Sequence, residues 1–375
     1  MRILLLTTRF SPHIGGVENV VENLAQNWSS DNEICVLTSK EAKSFTDIEN
    51  PIEIRDTYKL KRIWMGVPRS FAGFIAFPIR FILSLRALKK FVKEYNPDVV
   101  NIHFLDDVSI YAALALGMDS FKVVVNIHGN DIQVFAKNPF YAIFIGGLLS
   151  TADKIIVNSK YMYEQVLAFN AQIKSKLAII PNGLNTEEFK EIPSKKFLND
   201  DYIFYLGRVV HKKGLDILIR AFDKAAIDGL KLVIEGKGEE LNNIKNLVKE
   251  LKQESNIIFT NGNLSFQQKI EVMKGSLFGI IPSRIEPFGI IALEYIASGT
   301  PVIVSKTGGL IDLIQDNKTG IFFENENIDE LSSSIKNLYT NEAIRKKISE
   351  NQIAVATKFD WNDISEDYLK LFKEL

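Results

Sequence analysis

The chain has 375 residues, of which 46% are hydrophobic and 24% are charged, and its formal net charge at pH 7 is −1. This composition is typical of a soluble globular protein, and the length favours two domains over one. A nearly balanced charge provides no general attraction for nucleic acid, so we predict no nucleic-acid partner. The single cysteine, Cys35, excludes a disulfide framework and is typical of a reducing compartment such as the cytoplasm.

No apolar run predicts a membrane span or a signal peptide. The run in residues 1–8 is short and predicts a first buried strand. The nearest approach to a membrane span, residues 71–85, is interrupted by Pro78 and Arg80.

In the first half of the chain, short apolar runs alternate with amphipathic segments. The predicted strands are 2–7, 34–38, 98–102, 122–127, 154–157 and 177–180. The predicted helices are 17–28, 79–94, 108–116, 139–149 and 160–170. Such alternation is typical of an α/β domain in which helices cover both faces of a parallel sheet.

The second half of the chain repeats this alternation after a polar segment, 186–200, which we interpret as a linker. We predict one domain at 1–190 and a second at 191–359. The predicted strands of the second domain are 201–206, 230–234, 256–260, 277–281, 301–304 and 320–323. Four apolar residues at helical spacing mark one buried helix face: Leu215, Leu218, Ile219 and Phe222.

Polar residues collect where the predicted strands end, at the edge where α/β folds bind ligands. All four histidines of the chain follow a predicted strand: His13, His103, His128 and His211. For a single histidine, an ordinary polar loop is the better interpretation, but four of four favour a functional edge.

Two loops after first strands have residues suited to phosphate. Gly15 and Gly16 precede the first helix, where a backbone can approach a ligand closely and the helix start can receive an anion. In the second domain, Arg208 and Lys213 flank a loop after strand 201–206, and both side chains can reach a diphosphate. Taken singly, these loops also fit a plain turn and a solvated basic loop.

Three further strand ends carry candidate ligand contacts. Gly236 follows strand 230–234, and Gly262 and Asn263 follow strand 256–260, where backbone groups can contact a base. The segment 282–294 contains two carboxylates, Glu286 and Glu294, with seven residues between them. Pro287 favours a helix that begins just after it, whose first amides can hold an anion.

Together these segments resemble the family-four retaining glycosyltransferases with the GT-B fold, and the resemblance covers nearly the whole chain. In the first domain it rests on residues 12–18, P-H-I-G-G-V-E, and on His128-Gly129. In the second domain it rests on Gly207-Arg208, Lys213-Gly214, the segment 282–294, residues 299–302 (G-T-P-V) and Gly308-Gly309. Phe359-Asp360-Trp361 before a last amphipathic helix also matches the ending of the family.

The resemblance implies two doubly wound, Rossmann-like domains that face each other across a cleft, with a last helix, 360–375, crossing back to the first domain. Four residues would form the catalytic group, with Glu286 and His128 beside the transferred sugar and Arg208 and Lys213 on the diphosphate. Glu294 would bind the ribose. The remaining donor contacts would come from Phe288, Gly289, Ile290, Gly15, Gly16, Gly236, Gly262 and Asn263.

The implied reaction moves a hexose, with retained configuration, from a nucleotide sugar to a saccharide or lipid-linked saccharide. A UDP-sugar is the favoured donor and GDP-mannose the alternative. The sequence contains no Asp-x-Asp and no histidine pair at metal-ligand spacing, so we predict neither a metal ion nor another cofactor. Two other functions remain open on this architecture, a nucleotide-sugar epimerase and a non-catalytic nucleotide-sugar-binding scaffold.

The segment 71–95 joins an aromatic and aliphatic stretch to several basic residues, and a second apolar stretch follows at 135–149. This composition fits a helix lying on an anionic membrane surface, which would make the protein a peripheral one on the cytoplasmic face. Core helices with solvated lysines are an equally good interpretation.

Overall fold

The computed structural model describes residues 1–13, 15–41, 47–67, 71–116 and 121–375, and the side chains of residues 71–74 and 76 lie outside this description. Ile14 of the predicted phosphate loop also lies outside the described residues. The chain divides into a first unit, Met1–Asn182 with Trp361–Leu375, and a second unit, Gly183–Asp360. The boundary expected after residue 190 therefore lies beyond the observed one.

The first unit contains eight strands among the residues that the structure describes. They are β1 (Arg2–Thr7), β2 (Glu33–Ser39), β3 (Glu53–Ile54), β4 (Lys59–Ile63), β5 (Val99–His103), β6 (Lys122–Ile127), β7 (Lys154–Val157) and β8 (Leu177–Ile179). The sheet order is β3-β4-β2-β1-β5-β6-β7-β8, and only β3 runs antiparallel to its neighbour. The strand order reverses between β1 and β5, a position at which ligands bind in open α/β sheets.

Helices cover both faces of this sheet, so its central strands are buried. The helices are α1 (Gly16–Trp28), α2 (Phe71–Tyr95), α3 (Asp107–Ala115), α4 (Asn130–Gln133), α5 (Pro139–Thr151) and α6 (Lys160–Phe169). Strands β1 and β5 are almost wholly buried because an apolar side chain can pack on either face.

The second unit has a smaller sheet built in the same way. Its strands are β9 (Tyr202–Leu206), β10 (Lys231–Glu235), β11 (Ile257–Phe259), β12 (Gly279–Ile281), β13 (Val302–Ser305) and β14 (Ile321–Phe323). The order is β11-β10-β9-β12-β13-β14 with parallel pairing throughout. The order reverses between β9 and β12, so the loops after these two strands emerge side by side.

The helices of the second unit are α7 (Thr186–Glu191), α8 (Leu215–Ala225), α9 (Leu241–Glu250), α10 (Phe266–Gly275), α11 (Ile290–Ser298), α12 (Leu310–Leu313), α13 (Ile328–Thr340) and α14 (Glu342–Ala356). The predicted buried face of α8 is confirmed. The predicted linker is wrong in its first part, because α7 occupies 186–191 and buries Thr186 and Phe189. The side chain of Asn185 accepts a hydrogen bond from Glu188 N–H and caps this helix. This N-cap residue was overlooked because the whole segment is polar.

The last helix, α15 (Trp361–Lys373), returns to the first unit as predicted. Its buried Tyr368 and Phe372 pack on Trp28 of α1, with ring centroids 5.9 and 5.4 Å from the indole. The indole Nε1–H of Trp28 donates to the carbonyl oxygen of Ser365 at 3.0 Å. Two units with parallel, doubly wound sheets confirm the predicted α/β fold class. Within the described part of the chain, no helix is both long enough and apolar enough to cross a bilayer.

Candidate functional site

The loop after β9 is held directly against the loop after β12. Gly214 ends a 3-10 turn, His211–Lys213, with φ of 63°, and a Cβ atom there would stand 2.0 Å from the carbonyl oxygen of Pro282. Only glycine combines this left-handed conformation with such a close backbone approach. The close contact brings Lys213 beside the carboxylate of Glu286.

Lys213 and Glu286, predicted separately, form one ion pair between Nζ and Oε2. The hydroxyl of Ser283 donates to the same carboxylate oxygen at 3.1 Å. Glu286 is buried, and the side chain of Lys213 is only 16% exposed. The pair fixes the ammonium group at the carboxyl edge of the sheet, where its remaining donors can meet an anion.

Arg208 and Lys212 add positive charge to this loop. Arg208 is exposed, and the hydroxyl of Tyr205 donates to its carbonyl oxygen at 3.1 Å. Partial burial, and then the charges of Arg208 and Lys213, lower the pKa of Lys212. The charges of Arg208 and Lys213 therefore act on Lys212, and a bound diphosphate would offset this repulsion.

Arg284 stabilises the same pair of loops and received no role from the sequence. Its guanidinium group donates to both carboxylate oxygens of Asp216 at 2.8 Å, to Glu326 at 2.7 Å and to the carbonyl oxygen of His211 at 2.8 Å. It thereby joins the start of α8 to the loop that carries Glu286. The only sequence signal was its position two residues before Glu286.

The start of α11 lies beside this cluster. Gly289 precedes the helix with φ of 107°, and Phe288 is buried. The backbone of the Gly308-Gly309 turn packs on Glu286, since Gly309 N–H donates to its carbonyl oxygen at 2.9 Å. The amides of Phe288, Gly289 and Ile290 lie at the start of α11, which begins shortly after Glu286 in the chain.

Glu294 lies on α11, and burial raises the pKa of its carboxyl group to about 7, while the charge of Lys269 opposes the shift. Lys269 also lies 4.0 Å from Oε1 of the buried Glu235. The other oxygen of Glu235 accepts from the hydroxyl of Thr260 and from Gly262 N–H. Glu235 is a second residue that sequence reasoning missed, and it orders the loop expected to meet the base.

Glycines also hold the neighbouring loop together. A Cβ atom at Gly236 would stand 1.8 Å from the carbonyl oxygen of Gly207, so the loop after β10 lies against the loop after β9. Asn263 N–H donates to the carbonyl oxygen of Thr260 at 3.3 Å, which closes the turn around Gly262. Gly236, Gly262 and Asn263 thus follow the neighbouring strands β10 and β11.

The remaining predicted residues, His128, Gly15 and Gly16, lie in the first unit. His128 follows β6, and both its backbone N–H and that of Gly129 donate to the buried carboxylate of Asp131, at 2.6–3.1 Å. Helix α1 begins at Gly16, but an added Cβ on Gly15 would stand 2.4 Å from a carboxylate oxygen of Glu18. A phosphate at this helix start would therefore have to displace Glu18.

Among the described residues, no group of three or more histidine, cysteine, aspartate or glutamate side chains has the arrangement of a metal site.

Comparisons with known proteins match both units. The model of the family described as Glycosyltransferase Family 4 matches residues 14–188, and that of Glycosyl transferases group 1 matches residues 186–355. An uncharacterized glycosyltransferase of Methanocaldococcus jannaschii is 28% identical over 99% of this chain and 98% of its own length. A GDP-mannose-dependent alpha-(1-6)-phosphatidylinositol monomannoside mannosyltransferase of Mycolicibacterium smegmatis is 22% identical over 90% of this chain and 88% of its own.

Solved structures show the same fold. Sucrose-phosphate synthase from Thermosynechococcus elongatus superposes with a TM-score of 0.80 at 20% identity, covering 100% of this chain and 98% of its own. Anabaena HepE, solved in complex with UDP and glucose, superposes with a TM-score of 0.79 at 16% identity, covering 100% and 99%. At these identities the likeness concerns the fold alone.

Proposed function

The chain belongs to the family-four glycosyltransferases of the GT-B fold, and from this premise we propose that it is a retaining hexosyltransferase that uses a nucleotide sugar without a metal ion. The observation that carries the proposal is the cluster of Arg208, Lys212 and Lys213 at the switch point of the second sheet. This cluster stands beside the Glu286 carboxylate and the start of α11.

The leaving group of such a reaction is a nucleoside diphosphate, on which negative charge grows as the bond to the sugar breaks. Fixed positive groups at that point lower the barrier, because they need no reorganisation during the reaction. Lys213, oriented by Glu286, and Arg208, which is exposed at the same loop, supply these charges. The amides at the start of α11 supply further donors. This supply of cationic side chains is why we propose a metal-independent reaction.

Glu286 and Glu294 have different tasks in this proposal. Glu286 lies next to the cationic loop and stabilises positive charge at the reacting carbon of the sugar. Glu294 lies further along α11 and, when ionised, accepts hydrogen bonds from the ribose hydroxyls. The raised pKa of Glu294 supports this role, because a desolvated carboxylate gains most from two hydroxyl donors.

The proposed chemical step needs no protein nucleophile. The acceptor hydroxyl attacks the sugar carbon from the face on which the diphosphate leaves, the carbon–oxygen bond to the phosphate breaks, and a phosphate oxygen takes the hydroxyl proton. The new glycosidic bond then has the configuration of the donor. We propose a UDP-hexose as donor, with GDP-mannose as the alternative. The bound UDP and glucose of HepE and the GDP-mannose dependence named for the Mycolicibacterium enzyme support these two classes.

A product assay separates this proposal from the other two functions. The full chain is incubated with UDP-hexoses and GDP-mannose in EDTA, with and without saccharide acceptors, and nucleotides are separated by chromatography. We expect free nucleoside diphosphate together with a glycosylated acceptor. An altered sugar still attached to its nucleotide would instead identify an epimerase, and binding without any product would identify a scaffold.

We also propose that the acceptor is lipid-linked and that α2 places the enzyme on an anionic membrane. One stripe of this helix at alternating spacings of four and three residues is exposed: Ile75, Ile79, Ile82, Arg86, Lys89 and Lys93. Its first half is apolar and its second half basic, as in helices that lie in a membrane interface. The opposite face, with Leu88 and Phe91, packs in the core. The alternative that α2 is simply a core helix therefore accounts for this face but not for the exposed isoleucines of the stripe.

Liposome sedimentation tests the membrane proposal. We expect binding to vesicles that contain anionic lipid and loss of binding when Arg86, Lys89 and Lys93 are all changed to Glu. Changing Lys336, Lys346 and Lys347 of the second unit to Glu alters the net charge equally and serves as the matched control. Binding that survives the first triple change, or that both triple changes weaken equally, would contradict a specific role of α2.

A further inference from the structure

A buried polar chain lies behind His128 in the first unit. Nε2 of His128 lies 3.2 Å from Nδ1 of His103, and Nε2 of His103 lies 2.7 Å from Oδ1 of Asn101. His103 and Asn101 are completely buried at the end of β5. The sequence placed His103 at the functional edge but gave it no task.

The amide of Asn101 has only one satisfactory orientation. Its Nδ2 group donates to the carbonyl oxygen of Val124 at 3.3 Å and to Oδ1 of Asn126 at 3.2 Å. If the amide were turned over, its oxygen would face the backbone carbonyl oxygen of Val124, which repels it. Oδ1 of Asn101 is therefore the atom that faces His103, and it can only accept a hydrogen bond.

This orientation fixes the proton on His103. Because Oδ1 accepts, Nε2 of His103 must be the protonated nitrogen. Burial, reinforced by His128, lowers the pKa of His103, so its ring is neutral and Nδ1 has a lone pair. That lone pair faces Nδ2 of Asn126 at 3.4 Å and Nε2 of His128 at 3.2 Å. Because an unprotonated Nε2 of His128 would set two lone pairs against each other, this nitrogen must be protonated as well.

His128 presents an unprotonated ring nitrogen to a ligand. Burial lowers the pKa of His128 to about 4, so its ring is neutral near pH 7 and Nδ1 has the free lone pair. Within the described part of the chain, no hydrogen bond reaches this nitrogen. It is available to a hydroxyl group and would repel a carboxylate.

We propose that His103 is a positioning residue that fixes His128 as the Nε2–H tautomer, so that Nδ1 of His128 accepts a hydrogen bond from a hydroxyl of the transferred sugar. The tautomer follows from the first unit by itself, whereas the sugar contact rests on the proposed function. A hexose with a neutral hydroxyl at this point is thereby preferred over a sugar acid.

The experiment reads the tautomer directly. The full chain is labelled with ¹⁵N-histidine, and two-bond ¹H–¹⁵N correlation spectra at pH 7 show which ring nitrogen carries the proton. His128 is assigned from the spectrum of His128→Gln. We expect protonated Nε2 and bare Nδ1 in the wild type, a mixture of tautomers in His103→Leu, and the wild-type pattern in His103→Gln, whose amide oxygen can accept.

A protonated Nδ1 in the wild type, or an unchanged His128 spectrum in His103→Leu, would overturn the proposal. If His103→Leu does not fold, the spectra of the wild type and of His103→Gln still show which ring nitrogen of His128 carries the proton. No ligand is needed, so this result is independent of whether the chain transfers sugars.

Turnover then tests the sugar contact. The kcat of His103→Leu should fall about tenfold, as the loss of one well-placed hydrogen bond predicts. In a His128→Gln background the same change should add little, whereas an additive loss would contradict an action through His128.

Discussion

Lys213 and Glu286 form an ion pair, although each is expected to meet a different part of the donor. Such a buried pair adds little net stability, because the two charges lose hydration, but it holds both groups in one geometry. A diphosphate that approaches Lys213 can use the donors that Glu286 leaves free. We therefore interpret the pair as a device that orients the cation before the donor binds.

Arg208 and Lys213 are expected to stabilise the leaving diphosphate. Arg208→Ala or Lys213→Ala should lower kcat about 10²-fold, as removal of one electrostatic donor typically does. Steady-state rates with the best donor check this prediction. Melting curves identify variants that do not fold. This control matters for Lys213→Ala, because the change leaves Glu286 buried without its counter-charge. Lys224→Ala, which removes an exposed lysine of α8, is the matched control. Near-normal rates in both site variants would remove the diphosphate role.

A second prediction concerns Glu294, whose pKa is raised from 4.5 to about 7 in the folded protein. Between these values the folded state binds more protons than the unfolded state, so this group's contribution to stability falls as pH rises. Glu294→Gln should therefore leave stability nearly unchanged at pH 5 and raise it at pH 8 by about 1–2 kcal/mol, allowing for solvent screening.

Urea denaturation at the two pH values, without ligand, checks the Glu294 prediction. Glu350→Gln, a change at an exposed carboxylate of α14, is the control for a general charge effect. A lower free energy of unfolding for Glu294→Gln than for the wild type at pH 8 would mean that the folded protein stabilises the Glu294 carboxylate.

From the sequence, candidate site residues are easiest to find where several of them lie close together in one motif. Glu286, Gly289 and Glu294 belong to one short motif. Arg284 and Glu235 were missed because their importance depends on partners distant in the chain, such as Asp216 and Thr260. His103 was noticed, but its link to Asn101 and His128 required coordinates.

At the scale of elements, buried strands are predicted well because both faces need apolar side chains. β3 and β4 were missed, since β3 has two residues at the sheet edge and β4 contains three basic residues. Lys61 of β4 is nevertheless buried, because its ammonium group pairs with Glu49. Helix α2 begins at Phe71, eight residues before the predicted start at 79, and continues through Pro78. The hydrophobic periodicity of the sequence, two residues for a strand and 3.6 for a helix, could not show which residues of β3, β4 and α2 are buried or which strands pair.

The contact between the loops after β9 and β12 depends on a glycine at position 214. Gly214→Ala adds a left-handed strain and a clash with the carbonyl of Pro282, so it should move the turn that carries Lys213. Gly229 also has a positive φ, 77°, but nothing lies within 4 Å of an added Cβ atom. Gly229→Ala should cost about 1 kcal/mol from backbone strain alone.

Urea denaturation and kcat measurements on both glycine variants separate strain from displacement. We expect Gly214→Ala to lose more stability than Gly229→Ala and to lower kcat at least tenfold, whereas the control keeps its rate. Equal effects of the two changes would mean that the close approach to Pro282 does not position Lys213.

In both units of the molecule, the candidate groups lie at the carboxyl ends of strands, at or beside the position where the strand order reverses. In the first unit these are the loops after β1 and β5, together with His128 after β6, and in the second unit the loops after β9 and β12. The alternation of strands and helices predicted two doubly wound units, and the resemblance to the family predicted the returning α15. The position of the boundary could not be predicted, because the polar residues around 186–191 serve a capped helix as readily as a linker.

Donor titration in EDTA tests whether the second unit binds a nucleotide sugar through side-chain cations. Melting temperatures of the full chain are followed with UDP-hexoses and GDP-mannose, because a ligand that binds the native state raises its stability. We predict that at least one donor raises the melting temperature in EDTA and that Arg208→Ala weakens this shift. Binding that requires a divalent cation, or no shift with any nucleotide sugar, would contradict the account.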